Sequence, residues 1–108
     1  MAQIVTNYDL SSGSTTVAAG TSVNNIRFQY TVTGATAGQK VHLRPMCSED
    51  NTEYDNILDE NAEPFEWIIQ GDGTDSKHIL VVGTAYAELD IFCEGSCTGI
   101  LNVYTYES

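Results

Sequence analysis

Eight carboxylates crowd residues 49–66: Glu49, Asp50, Glu53, Asp55, Asp59, Glu60, Glu63 and Glu66. Clustered carboxylates chelate calcium, which takes about six to eight oxygens. The Asp, Asn and Gly offsets of an EF-hand loop are missing here, so the stretch reads as a solvated acidic loop. The run Asp72, Gly73, Thr74, Asp75 raises the same thought, and a turn accounts for it more simply. Cys47, Cys93 and Cys97 are an odd number of thiols and too few for a disulfide scaffold. Cys93 and Cys97 flank Glu94, Gly95 and Ser96, a spacing that a metal knuckle permits. A closed zinc site takes four ligands, however, and no second cluster is present. Reduced thiols packed as small hydrophobes are the simplest reading, with a Cys93–Cys97 disulfide or a metal site as alternatives. No basic neighbour flanks any of the three to activate a thiolate.

Nucleophilic and acid–base catalysis find no better footing. His42 and His78 both fall in strand-like patterns, and no Gly-x-Ser-x-Gly elbow occurs. A glycosidase needs two carboxylates in different environments across a cleft, and acids gathered in one loop build no such wall. The chain is therefore read as no enzyme, with no cofactor and no catalytic or metal-binding residues. Aromatic side chains could still form a sugar-stacking platform: Trp67 with Phe65, or Tyr86 with Tyr104 and Tyr106. Trp67 shares parity with Phe65 and Ile69, which assigns it to a core. Tyr104 and Tyr106 share a face near the C-terminus, and uncovered tyrosines of that kind make protein contacts.

Charge narrows the partners. Four Lys and Arg against fifteen Asp and Glu leave a formal net charge of −11 over 108 residues. Such a chain cannot neutralise a row of phosphates, and it is repelled by an anionic membrane, so neither nucleic acid nor membrane is expected. No apolar run reaches the ~18 residues of a membrane span. The first eight residues lack the basic start and apolar stretch of a secretory leader, which reads as synthesis in a cytoplasm. The charge is also uneven. Residues 1–46 hold one acid and three bases, whereas residues 47–108 hold fourteen acids and Lys77. Arg27, Lys40, His42 and Arg44 are expected to form one basic face that docks on an acidic neighbour, with residues 49–63 turned to water.

The elements that must position these groups are strands. Short runs of Val, Ile, Thr and Tyr, broken about every ten residues by Gly, Ser, Asn or Asp, indicate an all-β sandwich. With 42% apolar residues the chain supports one core, so residues 1–108 form a single domain without repeats. Residues 23–33 alternate Ile26, Phe28, Tyr30 and Val32 with polar neighbours, and residues 40–46 repeat the pattern. Folding these back on each other through residues 34–39 pairs Tyr30 with Leu43 and Val32 with Val41, predicting a hairpin. A second hairpin around residues 94–96 opposes Cys93 to Cys97, Leu89 to Leu101 and Tyr86 to Tyr104. Residues 3–8 read as an edge strand, 15–18 as a short strand, 65–69 as a strand ending in a sharp turn, and 78–83 as a covered central strand. Tyr54, Ile57 and Leu58 stand at helical spacing, which predicts a short helical turn near 52–61 before Pro64. The total is six to eight antiparallel strands, Ig-like or jelly-roll-like.

In size, acidity, richness in Thr, Gly and Val, and its acidic loop, the whole chain resembles the small β-sandwich auxiliary (decoration) proteins of tailed-bacteriophage capsids. The resemblance rests on overall character and transfers no individual residue. It implies a structural virion protein, made in the host cytoplasm, that binds and stabilises the shell of major capsid protein or other virion subunits. A homo-oligomer is compatible with it. The partner-binding residues expected on this reading are Arg27, Lys40, His42, Arg44, Tyr104 and Tyr106. The competing reading is a carbohydrate- or receptor-binding module of a fibre or tail.

Overall fold

Apolar residues at every second position need a common buried face, and two stacked sheets supply it. A computed structural model describes residues 2–23, 26–58, 61–79 and 84–107. Nine strands are present among them: β1 (Ala2–Asp9), β2 (Thr15–Val23), β3 (Ile26–Thr33), β4 (Lys40–Ser48), β5 (Asp55–Asn56), β6 (Trp67–Gln70), β7 (Gly73–Ile79), β8 (Thr84–Glu94) and β9 (Ile100–Glu107). One sheet runs β1-β9-β3-β7. The other runs β2-β8-β4, with β5 and β6 both pairing the far side of β4. All pairings are antiparallel. Taking β5 and β6 as one interrupted edge, this order is the double Greek key of a jelly roll.

The buried face is the one the alternation marks. Ile26, Phe28 and Val32 of β3 and Val41 and Leu43 of β4 are at most 1% exposed, as are Leu89, Ile91, Leu101 and Val103. Each such side chain contributes roughly 1.5–3 kcal/mol over its exposed state. Trp67 belongs to this core, tilted against Phe28 at 5.3 Å and Phe65 at 6.3 Å between ring centres.

Both expected hairpins are overturned. β3 pairs β9 and β7, whereas β4 pairs β8, β5 and β6, so the two strands lie in opposite sheets. Likewise β8 and β9 never pair with each other. Tyr30 and Leu43 thus share one core from facing sheets. Alternation fixes which face is buried but is silent on whether the matching apolar face lies beside a strand or ~10 Å across from it. Residues 34–39 and 95–99 are arches that cross that gap. Gln39 locks them together: its Oε1 accepts from Thr36 N at 3.1 Å and Thr98 N at 2.9 Å, and its Nε2 donates to Thr98 O at 2.9 Å. The Asp72 carboxylate joins the connection between β6 and β7 to the first arch by accepting from Ala35 N at 2.6 Å and Gly34 N at 3.2 Å.

The helical turn expected near 52–61 is absent among the described residues; Asp59 and Glu60 lie outside them. Asp50 Oδ1 accepts from Thr52 N and Glu53 N, and Ile57 N donates to Pro45 O at 3.1 Å. Those bonds hold the segment in a loop beside β4. The sole helical element described is a 3₁₀ turn at Leu10–Ser12, capped by Asp9. β1 is an edge strand as expected, and β2 runs longer than the predicted 15–18. The expected central strand at 78–83 falls partly on β7, an edge of the described first sheet; residues 80–83 lie outside the described residues.

Candidate functional site

The outer face of the second sheet is organised around β4. His42 stands in register with Ile68 of β6 on one side and Phe92 of β8 on the other. One register step along, Arg44 faces Asp90. Ile68 is 47% exposed and Phe92 39%, so two large apolar groups stand in water across a histidine. The His42 and Phe92 rings lie 5.5 Å apart, and the Arg44 guanidinium sits 5.2 Å from the centre of the Phe92 ring, a cation–π arrangement.

Carboxylates enclose this row. His42 Nε2 contacts Glu94 Oε2 at 2.8 Å and Nδ1 lies 3.3 Å from Glu66 Oε1, without hydrogen-bond geometry at Nδ1. Arg44 Nε donates to Glu66 Oε2, and its Nη1 lies 3.8 Å from Asp90 Oδ2. The hydrogen bond to Glu94 raises the His42 pKa against the opposing effect of burial, with Glu66 adding to the rise. Reciprocally, the Arg44 bond holds Glu66 below the usual carboxylate range, and His42 does the same for Glu94. A groove of about 520 Å³ continues the face, lined by Arg44, Met46, Asn56, Pro64, Glu66 and Asp90.

The expected single basic face is therefore corrected in two respects. Lys40, His42 and Arg44 do project from one face of β4. Arg27 lies on β3, in the other sheet, with Tyr106 as its cross-strand neighbour. The β4 row is also no bare positive patch: Glu66, Glu94 and Asp90 neutralise it, and Lys40 opposes Glu94 in register. Tyr104 and Tyr106 share the outer face of the first sheet, as expected. Tyr106 is 52% exposed, and Tyr104 stands between Gln29 and Gln3 in register. Gln3 Nε2 donates to Asn102 Oδ1 at 2.9 Å, so this second face is amide-rich and aromatic. His78 lies opposite Arg27 on β7.

Trp67 is core, at 8% exposure, and offers no shelf for a sugar. Asp50 is occupied by the loop itself, accepting from Thr52 N, Glu53 N and the Ser48 hydroxyl. Among the described residues no three His, Cys, Asp or Glu side chains are grouped to hold a metal ion. Cys93 and Cys97 are buried free thiols, Cys47 a half-buried one. Cys93 Sγ points at Leu10 O at 3.8 Å and Cys97 Sγ at Lys40 O at 3.7 Å. Burial, reinforced by neighbouring Cys97, pushes the Cys93 thiol up to about 11.

Sequence reasoning did not single out Ile68 and Phe92. Their only signal was an apolar residue on the polar parity of its strand, beside Trp67, Ile69, Ile91 and Cys93. No family model, no curated protein and no solved structure matches the chain.

Proposed function

We propose that the chain is a structural virion protein, an auxiliary or decoration protein that binds the major capsid shell of a bacteriophage and stabilises it. The observation that carries this reading is the outer face of the second sheet. Ile68 and Phe92 offer an apolar centre, and Arg44, Glu66, Glu94 and Asp90 offer a polar rim whose charges are already paired. That is the anatomy of a protein contact, in which apolar burial supplies the energy and rim charges fix register. A copy that spans neighbouring subunits binds only the assembled shell, so its binding energy adds to assembly, multiplied over many copies. The net charge of −11 keeps unbound copies soluble. A jelly roll suits such a role, being a fold used in viral capsid domains, although fold alone does not assign function.

The test is binding of the purified chain to bare shells. Ile68→Ser with Phe92→Ser should weaken binding roughly tenfold or more, given ~1 kcal/mol for each partly buried apolar group. Tyr106→Ser should leave it unchanged. Shell binding indifferent to Ile68 and Phe92 would refute this docking face. The second reading, a carbohydrate- or receptor-binding module of a fibre or tail, is favoured by the other face. There Tyr104 and Tyr106 stand beside Gln29 and Arg27, stacking surfaces next to hydrogen-bonding groups. On that reading a glycan array responds to the wild type and loses signal with Tyr106→Ser.

A further inference from the structure

A jelly roll leaves sheet edges, and exposed edges pair with other chains unless they are blocked. Three of the four edges among the described residues carry a recognisable block. β1 changes register twice, between Gln3 and Val5 and between Val5 and Tyr8, with Asn7 at φ 48°. β7 carries Asp75, Lys77 and His78 within seven residues. The β5 and β6 edge is split into pieces of two and four residues.

β2 is different. It is nine residues long, Thr-Thr-Val-Ala-Ala-Gly-Thr-Ser-Val, with no charge and no proline. Among the described residues it hydrogen-bonds in a sheet only to β8. Its register with β8 is regular over residues 15–18 and shifts only between Ala18 and Gly20. Thr16 and Ala18 are exposed and small, while Ala19 is buried in the core. The backbone along 15–18 is thus presented beside side chains too short to shield it.

We propose that this edge is a self-association site, at which a second copy of the chain adds its own β2, antiparallel, about a two-fold axis. Electrostatics selects the occupant. Two copies each of charge −11 repel nearly everywhere. Residues 10–26 carry no Asp, Glu, Lys, Arg or His, and the nearest acids in register, Asp90 and Glu88 opposite Thr16 and Ala18, stand one strand behind on β8, so the two joining strands themselves bring no like charges together. An antiparallel strand pair about a two-fold is also self-complementary, each edge presenting to its twin the donors and acceptors it needs. The dimer joins the two second sheets into one continuous sheet and leaves the Ile68 and Phe92 face of each copy open. It rests on no assumption about the capsid.

Sedimentation velocity on the isolated chain over a range of concentrations tests it. The wild type should show a monomer–dimer equilibrium, and Thr16→Asp with Ala18→Asp should weaken it about tenfold or more, since like charges then meet across the new strand pair and beside Asp90 and Glu88, which oppose residues 16 and 18 on β8. Ala37→Asp with Ser96→Asp makes the same charge change on the arches and should leave the dimer intact, so a loss of dimer confined to the β2 variant cannot come from greater overall repulsion. Amide exchange on the wild type gives an answer even if the β2 variant fails to fold: β2 amides should gain protection as concentration rises. A wild type that stays monomeric with unprotected β2 amides overturns the proposal, as does a dimer unaffected by the β2 aspartates. Protection of β2 only on addition of shell protein overturns it too, handing the edge to a foreign strand.

Discussion

Replacing Gly99 with alanine should damage this protein far more than the same change at Gly38, and the difference measures the arch architecture. Gly99 lies where the β8–β9 arch meets the β3–β4 arch, and its carbonyl also accepts from Leu10 N at 2.9 Å. A Cβ at Gly99 would stand 2.8 Å from Thr33 O, 3.1 Å from Ala35 N and 3.1 Å from the Gly34 carbonyl carbon. All three are backbone atoms, so no side chain can swing aside. The backbone there is at φ +108°, outside the range an L-residue adopts without strain. Overpacking of this kind costs about 1–3 kcal/mol and a strained φ about 1–3 kcal/mol more. A combined loss near ~4 kcal/mol corresponds to a Tm drop of about 15–30 °C in a domain of this size. Gly38 sits at φ +82° with nothing within 4 Å of its would-be Cβ. Gly38→Ala therefore carries the backbone cost alone, about 1–2 kcal/mol. Urea denaturation and calorimetry on both variants check this. Equal losses, or a Gly99→Ala protein melting within about 5 °C of wild type, would refute the contact between the arches and revive the hairpin arrangement.

Gln39→Ala should cost about 2–4 kcal/mol, since it strips partners from Thr36 N, Thr98 N and Thr98 O at once, measured as a shift in denaturation midpoint at unchanged slope. Trp67→Ala should cost about 3–5 kcal/mol in the same assay, because the ring is buried against Phe28 and Phe65. His42 contributes stability through its raised pKa, so that contribution is fully present below the ordinary histidine value near 6.5 and is lost as pH rises through the raised value. Stability measured from pH 6 upward should therefore fall through that window in the wild type, and His42→Gln should flatten the fall. With the native fold intact, iodoacetamide should modify half-buried Cys47 first and Cys93 slowest, as its thiol is both buried and pushed up to about 11; mass spectrometry of partly labelled protein reads the order.

What sequence could and could not reveal divides along a physical line. The alternation of Ile26, Phe28, Tyr30 and Val32 reports a buried face, because period two is a property of one strand. The neighbour of that strand is a property of the connection, and the connections here are governed by Gln39, Asp72 and Gly99, whose roles depend on atoms far away in sequence. The basic stripe Lys40, His42, Arg44 was legible as a stripe, but its neutralisation was not, since Glu66, Asp90 and Glu94 arrive from other strands. The spacing of Tyr54, Ile57 and Leu58 suits a helix in isolation. Asp50 overrides it by accepting the amides of Thr52 and Glu53, and Ile57 turns into the core at 7% exposure while Leu58 stays 54% exposed. Tyr104 and Tyr106 were legible together because both lie on one strand, whereas Arg27 was assigned to the wrong sheet through the hairpin that placed it.

Electron cryomicroscopy of intact particles carrying this chain is the most direct trial of a shell-stabilising role. A two-sheet block should appear at junctions between shell subunits, with Ile68 and Phe92 turned against the shell and residues 49–58 toward solvent. Particles lacking such density, or density docked through the Tyr106 face, would contradict it.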